Sequence, residues 1–478
     1  MKQKLKNINI KYIHIAIIIL GILFICIPAF HANLWFDESY SVAIANNHSF
    51  NEIWTIGGHD VHPVFYYWML KIVSMIFGNN MVCYRLLSVL SIALLGILGY
   101  THVRKDFGEK VGAIFSLLVY TFPVNLVYAS EIRMYGWAMF FVMVMAIYAY
   151  RIFSNKKALH ENKLEKRNIK NWVIFAIFSL ISAYTHYYGL MAAGIINAIL
   201  LIYLIIKKRK STAIKITLLG IIQLIAYIPW LINFTTQLKN VSGGFWIGFE
   251  FPKTLIELTS FGFLGDYING NFGLYQHIIF VLAIELYIYL GVKIYKYKKE
   301  KQDIKPAILP VIIYAAVIIA ALLITLVMKT SILYYRYLFV ITGLFIFVLS
   351  FVLAKEKNKI VSLVICIVIV LLGMINNIKL INENYDESNK QPIEYLKQNI
   401  QEGDLIVYSD VGVGAVVNEF LTQNNQYFYN ADHWNIYKAY KAYEPTMKIT
   451  EDDEFTNSAN RFWLVGYNEN IYNYLFNN

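Results

Sequence analysis

The stretch "PAILPVIIYAAVIIAALLITLVM", residues 306–328, contains no charged side chain. As a helix rising ~1.5 Å per residue it covers about 34 Å, enough to cross the ~30 Å hydrocarbon core of a bilayer. Comparable apolar segments lie near 12–30, 83–103, 110–129, 135–153, 172–186, 189–206, 212–232, 273–292, 332–353 and 359–378. Of the 478 residues, 58% are hydrophobic and only 15% are charged. The chain therefore reads as a polytopic α-helical membrane protein with about eleven transmembrane helices.

The formal charge of +11 raises the question of nucleic acid, and its distribution answers it. With the N-terminus placed inside, 28 of the 42 Lys and Arg residues fall in inner loops and ends; outer loops hold seven and the tail seven. Runs such as "KKRK" (207–210) and "KIYKYKKEKQDIK" (293–305) lie on the inner side. This is the positive-inside pattern, so the charge reports topology and anionic lipid, with no nucleic acid partner implied. It makes a multi-pass protein of the cell membrane, N-terminus cytoplasmic and C-terminal region extracytoplasmic. The first apolar run lacks an A-x-A cleavage signal before residue 37 and is expected to stay as a signal-anchor. Cys26, Cys83 and Cys366 lie in or beside apolar segments and form no metal or redox motif.

Two domains are expected: a transmembrane part over 1–379 and a small soluble α/β domain over 380–478. The tail carries 15 Asp and Glu against seven Lys and Arg. In it, "QPIEYLKQNIQEGD" reads as a helix ending at Gly403, and "LIVYSD" (405–410) and "FWLVGY" (462–467) read as strands. Two outer loops are long, 31–82 and 233–272. The first holds "VFYYWMLKIVSMIFG" (64–78), which suits an aromatic-rich helix lying in the membrane interface.

The chemistry-bearing residues gather at the outer ends of spans. Asp37 and Glu38 stand just past the first span, and a carboxylate there suits a general base. Adjacent helical residues point about 100° apart, so the two need not share one task. In "GGHDVHPVFYYW" (57–68), His59, Asp60 and His62 fall within four residues; they are either a hydrogen-bonding loop or ligands for a divalent metal. Arg85 opens the second span. "YASEIRMYGWAMFF" (128–141) brings Glu131, Arg133 and Tyr135 to a tight turn, and Arg is the natural bidentate partner of phosphate. His186 in "AYTHYYG" and Lys329 and Arg336 in "KTSILYYRYLFV" complete the outer-face set. Cations at that face run against the positive-inside rule, which makes their concentration there informative.

The ordered series "FDESY", "HPVFYYWMLKIVSMIFG…YRLLSVL", "SEIRMYG", "THYYGL" and "YYRYL" resembles the GT-C membrane glycosyltransferases of family 39, which include the protein O-mannosyltransferases and the aminoarabinose transferases. The strong part covers about residues 31–140. The family usually has His-Pro-Pro or Lys-Pro-Pro where this chain has His62-Pro63-Val64. The resemblance implies an inverting transferase of GT-C type, a hexosyl- or pentosyltransferase. It would move a sugar from a polyprenyl-phosphate donor to an acceptor hydroxyl on a protein, lipid or cell-envelope polymer. In that reading Asp37 is the base, and Arg133 and Arg85, then Arg336 and His186, meet the lipid phosphate. Glu38, His59, His62, Tyr66, Glu131 and Tyr135 would contact donor or acceptor. No cofactor is assigned, and a divalent metal on His59, Asp60 and His62 is compatible. The rival reading is a transporter or flippase of lipid-linked sugars, which calls for charges buried mid-span and Gly/Pro-broken helices paired between two halves.

Overall fold

The computed structural model describes residues 10–154, 166–242, 247–269, 272–386, 388, 390–408, 410–421, 426–429, 448–450 and 461–466. It divides into two compact units. The first takes in the chain up to Phe30, Ser88–Ile232 and Val241–Ile381, and the second His31–Leu87, Asn233–Asn240 and Asn382 onward.

The helices in chain order are α1 (Ile10–Cys26), α2 (Phe36–Asn47), α3 (Phe50–Ile56), α4 (Phe65–Phe77), α5 (Met81–Leu98), α6 (Arg104–Phe107), α7 (Glu109–Thr121), α8 (Pro123–Ser130), α9 (Tyr135–Ser154) and α10 (Lys166–Thr185). There follow α11 (Tyr187–Ile206), α12 (Lys210–Ser242), α13 (Lys253–Leu264), α14 (Leu274–Lys299), α15 (Lys305–Met328), α16 (Tyr335–Lys355), α17 (Lys359–Asn384), α18 (Lys390–Asn399) and α19 (Val411–Asn418).

Among the described residues nine helices are long and apolar enough to cross a membrane, and ten if α7 and α8, bent by 60°, count as one span. The remaining apolar segment of the sequence is α10. Its apolar part, Ile169–Thr185, is shorter than those of the other spans because charged and polar residues occupy its first turn. The segment 64–78 is a helix too short to span, as its sequence suggested.

Within the first unit, burial separates central from peripheral helices. In α16, 89% of the most apolar 18-residue stretch is buried and in α9 72%, against 11% in α1 and 17% in α14 and α15. An apolar helix that hides little of its surface within the bundle presents it to lipid. Close helix approach is made by small residues: a Cβ on Gly99 would lie 2.8 Å from the Gly112 carbonyl oxygen, and one on Gly343 2.6 Å from Met143 Cγ.

Polar locks close the two ends of this unit. At one, Glu356 takes Lys293 Nζ at 2.5 Å and the Tyr289 hydroxyl at 2.6 Å. Burial works to raise its pKa, but the hydrogen bonds from Lys293 and Tyr289 outweigh it and hold the carboxyl at about 2. At the other, Lys379 Nζ meets Asp266 Oδ2 at 2.6 Å, Asn376 Oδ1 accepts from the Asp266 N–H, and Tyr335 donates to Asn269 Oδ1.

The second unit contains a four-stranded parallel sheet, β1 (Leu405–Tyr408), β2 (Gln426–Tyr429), β3 (Lys448–Thr450) and β4 (Phe462–Val465), in the order β3-β2-β1-β4. Ile406, Tyr408, Ala415, Leu421, Phe428 and Leu396 form its core, and Phe36 and Tyr40 of α2 pack against that core. Asp404 ties the strand β1 to β4: it accepts from Arg461 Nε at 2.9 Å and Nη2 at 2.5 Å, and from Trp463 Nε1 at 2.9 Å. The Arg461 bonds hold its carboxyl well below the usual range. A carboxyl depressed on folding contributes stability above its unfolded pKa of about 3.9 and loses it as pH falls toward the folded value. We expect hydrogen-exchange protection of β1 and β4 amides, corrected for intrinsic rates, to fall from about pH 4 downward in the wild type. In Asp404→Asn protection should be lower at neutral pH and change little. Protection unchanged between neutrality and about pH 3 in the wild type would contradict this account.

Candidate active site

Two clusters of predicted residues form, one in each unit. In the second unit the chain turns extended at Trp35 and enters α2, which places Asp37 and Glu38 in its first turn. Carboxylates are favoured there by the unpaired N–H groups and the positive end of the helix dipole. Glu38 turns inward, 1% exposed. It accepts from Arg85 Nη1 at 2.5 Å and Nη2 at 2.8 Å, and from the Trp35 N–H at 3.3 Å. Arg85, 2% exposed, also donates to the Asn33 carbonyl. Asn33 in turn donates its side-chain amide to the carbonyls of Asn384 at 3.0 Å and Asp386 at 3.1 Å. Arg85, one of the residues proposed to meet the lipid phosphate, is paired with Glu38. Asp37, one residue and about 100° away, remains partly exposed.

The loop after α3 is held from α12. Asn233 Nδ2 donates to the Trp54 carbonyl at 2.8 Å, and Gln237 Nε2 to those of Gly57 at 2.5 Å and His62 at 3.2 Å. His62 and Tyr66 are buried. Asp60 accepts from the Tyr67 hydroxyl and, at 2.7 Å, from the N–H of Val61. Trp68 stacks on Trp54 with ring centroids 5.7 Å apart. The side chain of His59 lies outside the described residues. Among the described residues no three His, Cys, Asp or Glu side chains are grouped to hold a metal ion.

In the first unit the turn between α8 and α9 carries Glu131 and Arg133, the latter 5% exposed, and Tyr135 is fully buried at the start of α9. His186 sits between α10 and α11 and caps α11: its Nδ1 accepts from the Tyr188 N–H at 3.1 Å. That bond fixes the tautomer with the proton on Nε2. Burial first, then the charge of Arg133, lowers its pKa to about 3, so the imidazole is neutral at physiological pH. Its ring lies 5.5 Å from that of Tyr135 and 5.3 Å from that of Tyr337. Arg336 lines a small cleft with Glu131, Tyr128, Asn269 and Tyr335. Thus Glu131, Arg133, Tyr135, His186 and Arg336 share one unit, and Asp37, Glu38, His62, Tyr66 and Arg85 the other.

Sequence reading missed Asn33, Asn233, Gln237 and Tyr337. Asn233 and Gln237 carried a signal: two amides four apart share a helix face, here at the end of an apolar run.

A buried ion pair stripped of one member leaves an uncompensated charge, which costs about 3–5 kcal/mol, whereas replacing both members with apolar residues costs far less. We therefore expect Glu38→Leu and Arg85→Leu each to lower thermal stability in detergent sharply, and the double variant to recover most of the loss. Losses that simply add in the double variant would contradict this coupling.

A family model described as dolichyl-phosphate-mannose-protein mannosyltransferase matches residues 61–233. No curated protein matches the chain. Among solved structures the chain is similar to ArnT from Cupriavidus metallidurans bound to undecaprenyl phosphate, at 12% identity and a TM-score of 0.59, over 93% of this chain and 90% of that one. It is also similar to the archaeal oligosaccharyltransferase AglB from Archaeoglobus fulgidus in complex with an inhibitory peptide and a dolichol-phosphate. There the identity is 13% and the TM-score 0.51, over 86% of this chain and 64% of that one. At such identities the likeness is one of fold. The resemblance carried by the motifs therefore holds: the chain is a polytopic membrane protein of GT-C glycosyltransferase fold, similar over residues 61–233 to the dolichyl-phosphate-mannose-protein mannosyltransferases.

Proposed function

We propose that the protein is an inverting glycosyltransferase that moves a sugar from a polyprenyl phosphate to an acceptor hydroxyl at the outer face of the membrane. The observation that carries this reading is the division of labour within α2. Glu38 is consumed by Arg85, while its neighbour Asp37 stays partly exposed in a helix first turn. The polyprenyl-phosphate carrier is supported by the fold shared with ArnT, whose structure holds undecaprenyl phosphate.

In this reaction the acceptor oxygen forms a bond to the anomeric carbon as the bond from that carbon to the lipid phosphate breaks. The acceptor proton passes to the Asp37 carboxylate, and the phosphate leaves with the bonding pair. Displacement from the face opposite the phosphate inverts the sugar carbon. Charge grows on the leaving phosphate, so cations aimed at it favour the transition state over the ground state. Arg133 and Arg336 are the residues assigned to that task. Arg85 is assigned to positioning, since its two Nη groups hold Glu38. The neutral His186 offers its Nε2–H as a donor and adds no charge. The distribution of Lys and Arg supports a cytoplasmic N-terminus and an extracytoplasmic tail.

The test is transfer from radiolabelled polyprenyl-phosphate hexoses and pentoses by proteoliposomes. The wild type should transfer with inversion, and Asp37→Asn should lose about 10²-fold or more while still binding the lipid donor. Equal rates for wild type and Asp37→Asn would remove Asp37 from the mechanism. Retention of configuration would exclude direct displacement, and no transfer from any donor would overturn the reading.

A further inference from the structure

The chemistry-bearing residues gather at the ends of spans, and Glu285 does not. It lies at the centre of α14, with the seven uncharged residues 278–284 before it and the seven residues 286–292 after it. Each flank corresponds to about 10 Å of helix, beyond what a glutamate with its two-carbon stem can span to reach an interface. Its side chain is exposed on a helix that presents most of its surface to lipid. One and two turns on, Tyr289 and Lys293 both engage Glu356. Among the described residues Glu285 makes no hydrogen bond or ion pair.

Glu285 borders a cavity of ≈ 290 Å³ on the face between α14 and α17, whose other walls include Leu282, Leu286, Val364 and Val368. A carboxyl group facing hydrocarbon at mid-span is costly, and such residues ordinarily face a partner. We infer that this groove docks a transmembrane helix of another membrane protein that carries a lysine or arginine at mid-membrane, with Glu285 as its counter-group. Charge complementarity selects that occupant. A prenyl or acyl chain offers a carboxylate nothing, and a second copy of this chain using the same face would bring two carboxylates together. The inference does not rest on the glycosyl-transfer reading.

The experiment uses the full chain, fluorescently labelled, in phosphatidylcholine vesicles. The probes are leucine–alanine transmembrane peptides of about 23 residues that carry a central lysine or a central leucine. Energy transfer should show the lysine peptide associating about tenfold more tightly than the leucine peptide. The preference should vanish in Glu285→Gln, which changes no packed residue. In Val368→Trp, which fills the groove and leaves the carboxyl group, binding of both peptides should fall. Equal binding of the two peptides to wild type, or a lysine preference that survives Glu285→Gln, would overturn the proposal. So would self-association of the chain that Glu285→Gln abolishes, which would assign the face to a second copy.

Discussion

The second unit is organised by the buried pair of Glu38 and Arg85. Both side chains are almost wholly removed from water, so each depends on the other to offset its desolvation. The guanidinium fork, two nitrogens on two carboxylate oxygens, also fixes direction, which a lysine in its place would not. Because Arg85 reaches the Asn33 carbonyl and Asn33 reaches those of Asn384 and Asp386, one chain of polar contacts runs from α5 through the start of α2 to the root of the tail. The tail core completes the arrangement by receiving Phe36 and Tyr40, the residues that bracket the Asp–Glu pair in α2. The helix bearing Asp37 is thereby held from two sides, by an ion pair and by an apolar core.

The first unit follows a different logic. Its central helices α9 and α16 are surrounded by other helices, while α1, α14 and α15 turn their surfaces outward. In lipid there is no gain from burying one apolar surface against another, so close backbone approach and satisfied polar groups hold such a bundle together. The glycines at 99, 112 and 343 supply the first, and the Glu356 and Asp266 locks the second. Beside the charge of Arg133, His186 stays neutral, because burial and Arg133 both disfavour its second proton.

Much of this was legible in the residues. Runs such as 306–328 can only be membrane helices, since their length and lack of charge match the hydrocarbon core. The short apolar runs "LIVY" and "FWLV" marked strands that do pair, Leu405 with Phe462 and Ile406 with Trp463. The ordered motifs pointed to the GT-C fold, and the fold comparison agrees.

What the sequence determined by itself is therefore what depends on local composition: which segments are long and apolar enough to enter the membrane, which form strands, and which polar residues gather in the motifs. The tertiary structure alone decided how those residues are spent. Glu38 and Arg85 are 47 positions apart, and Gln237 reaches His62 across 175, separations at which no periodicity or spacing reports contact. Side-chain partnership is set by the packing of whole helices, and that packing is what gives Glu38 its partner in Arg85.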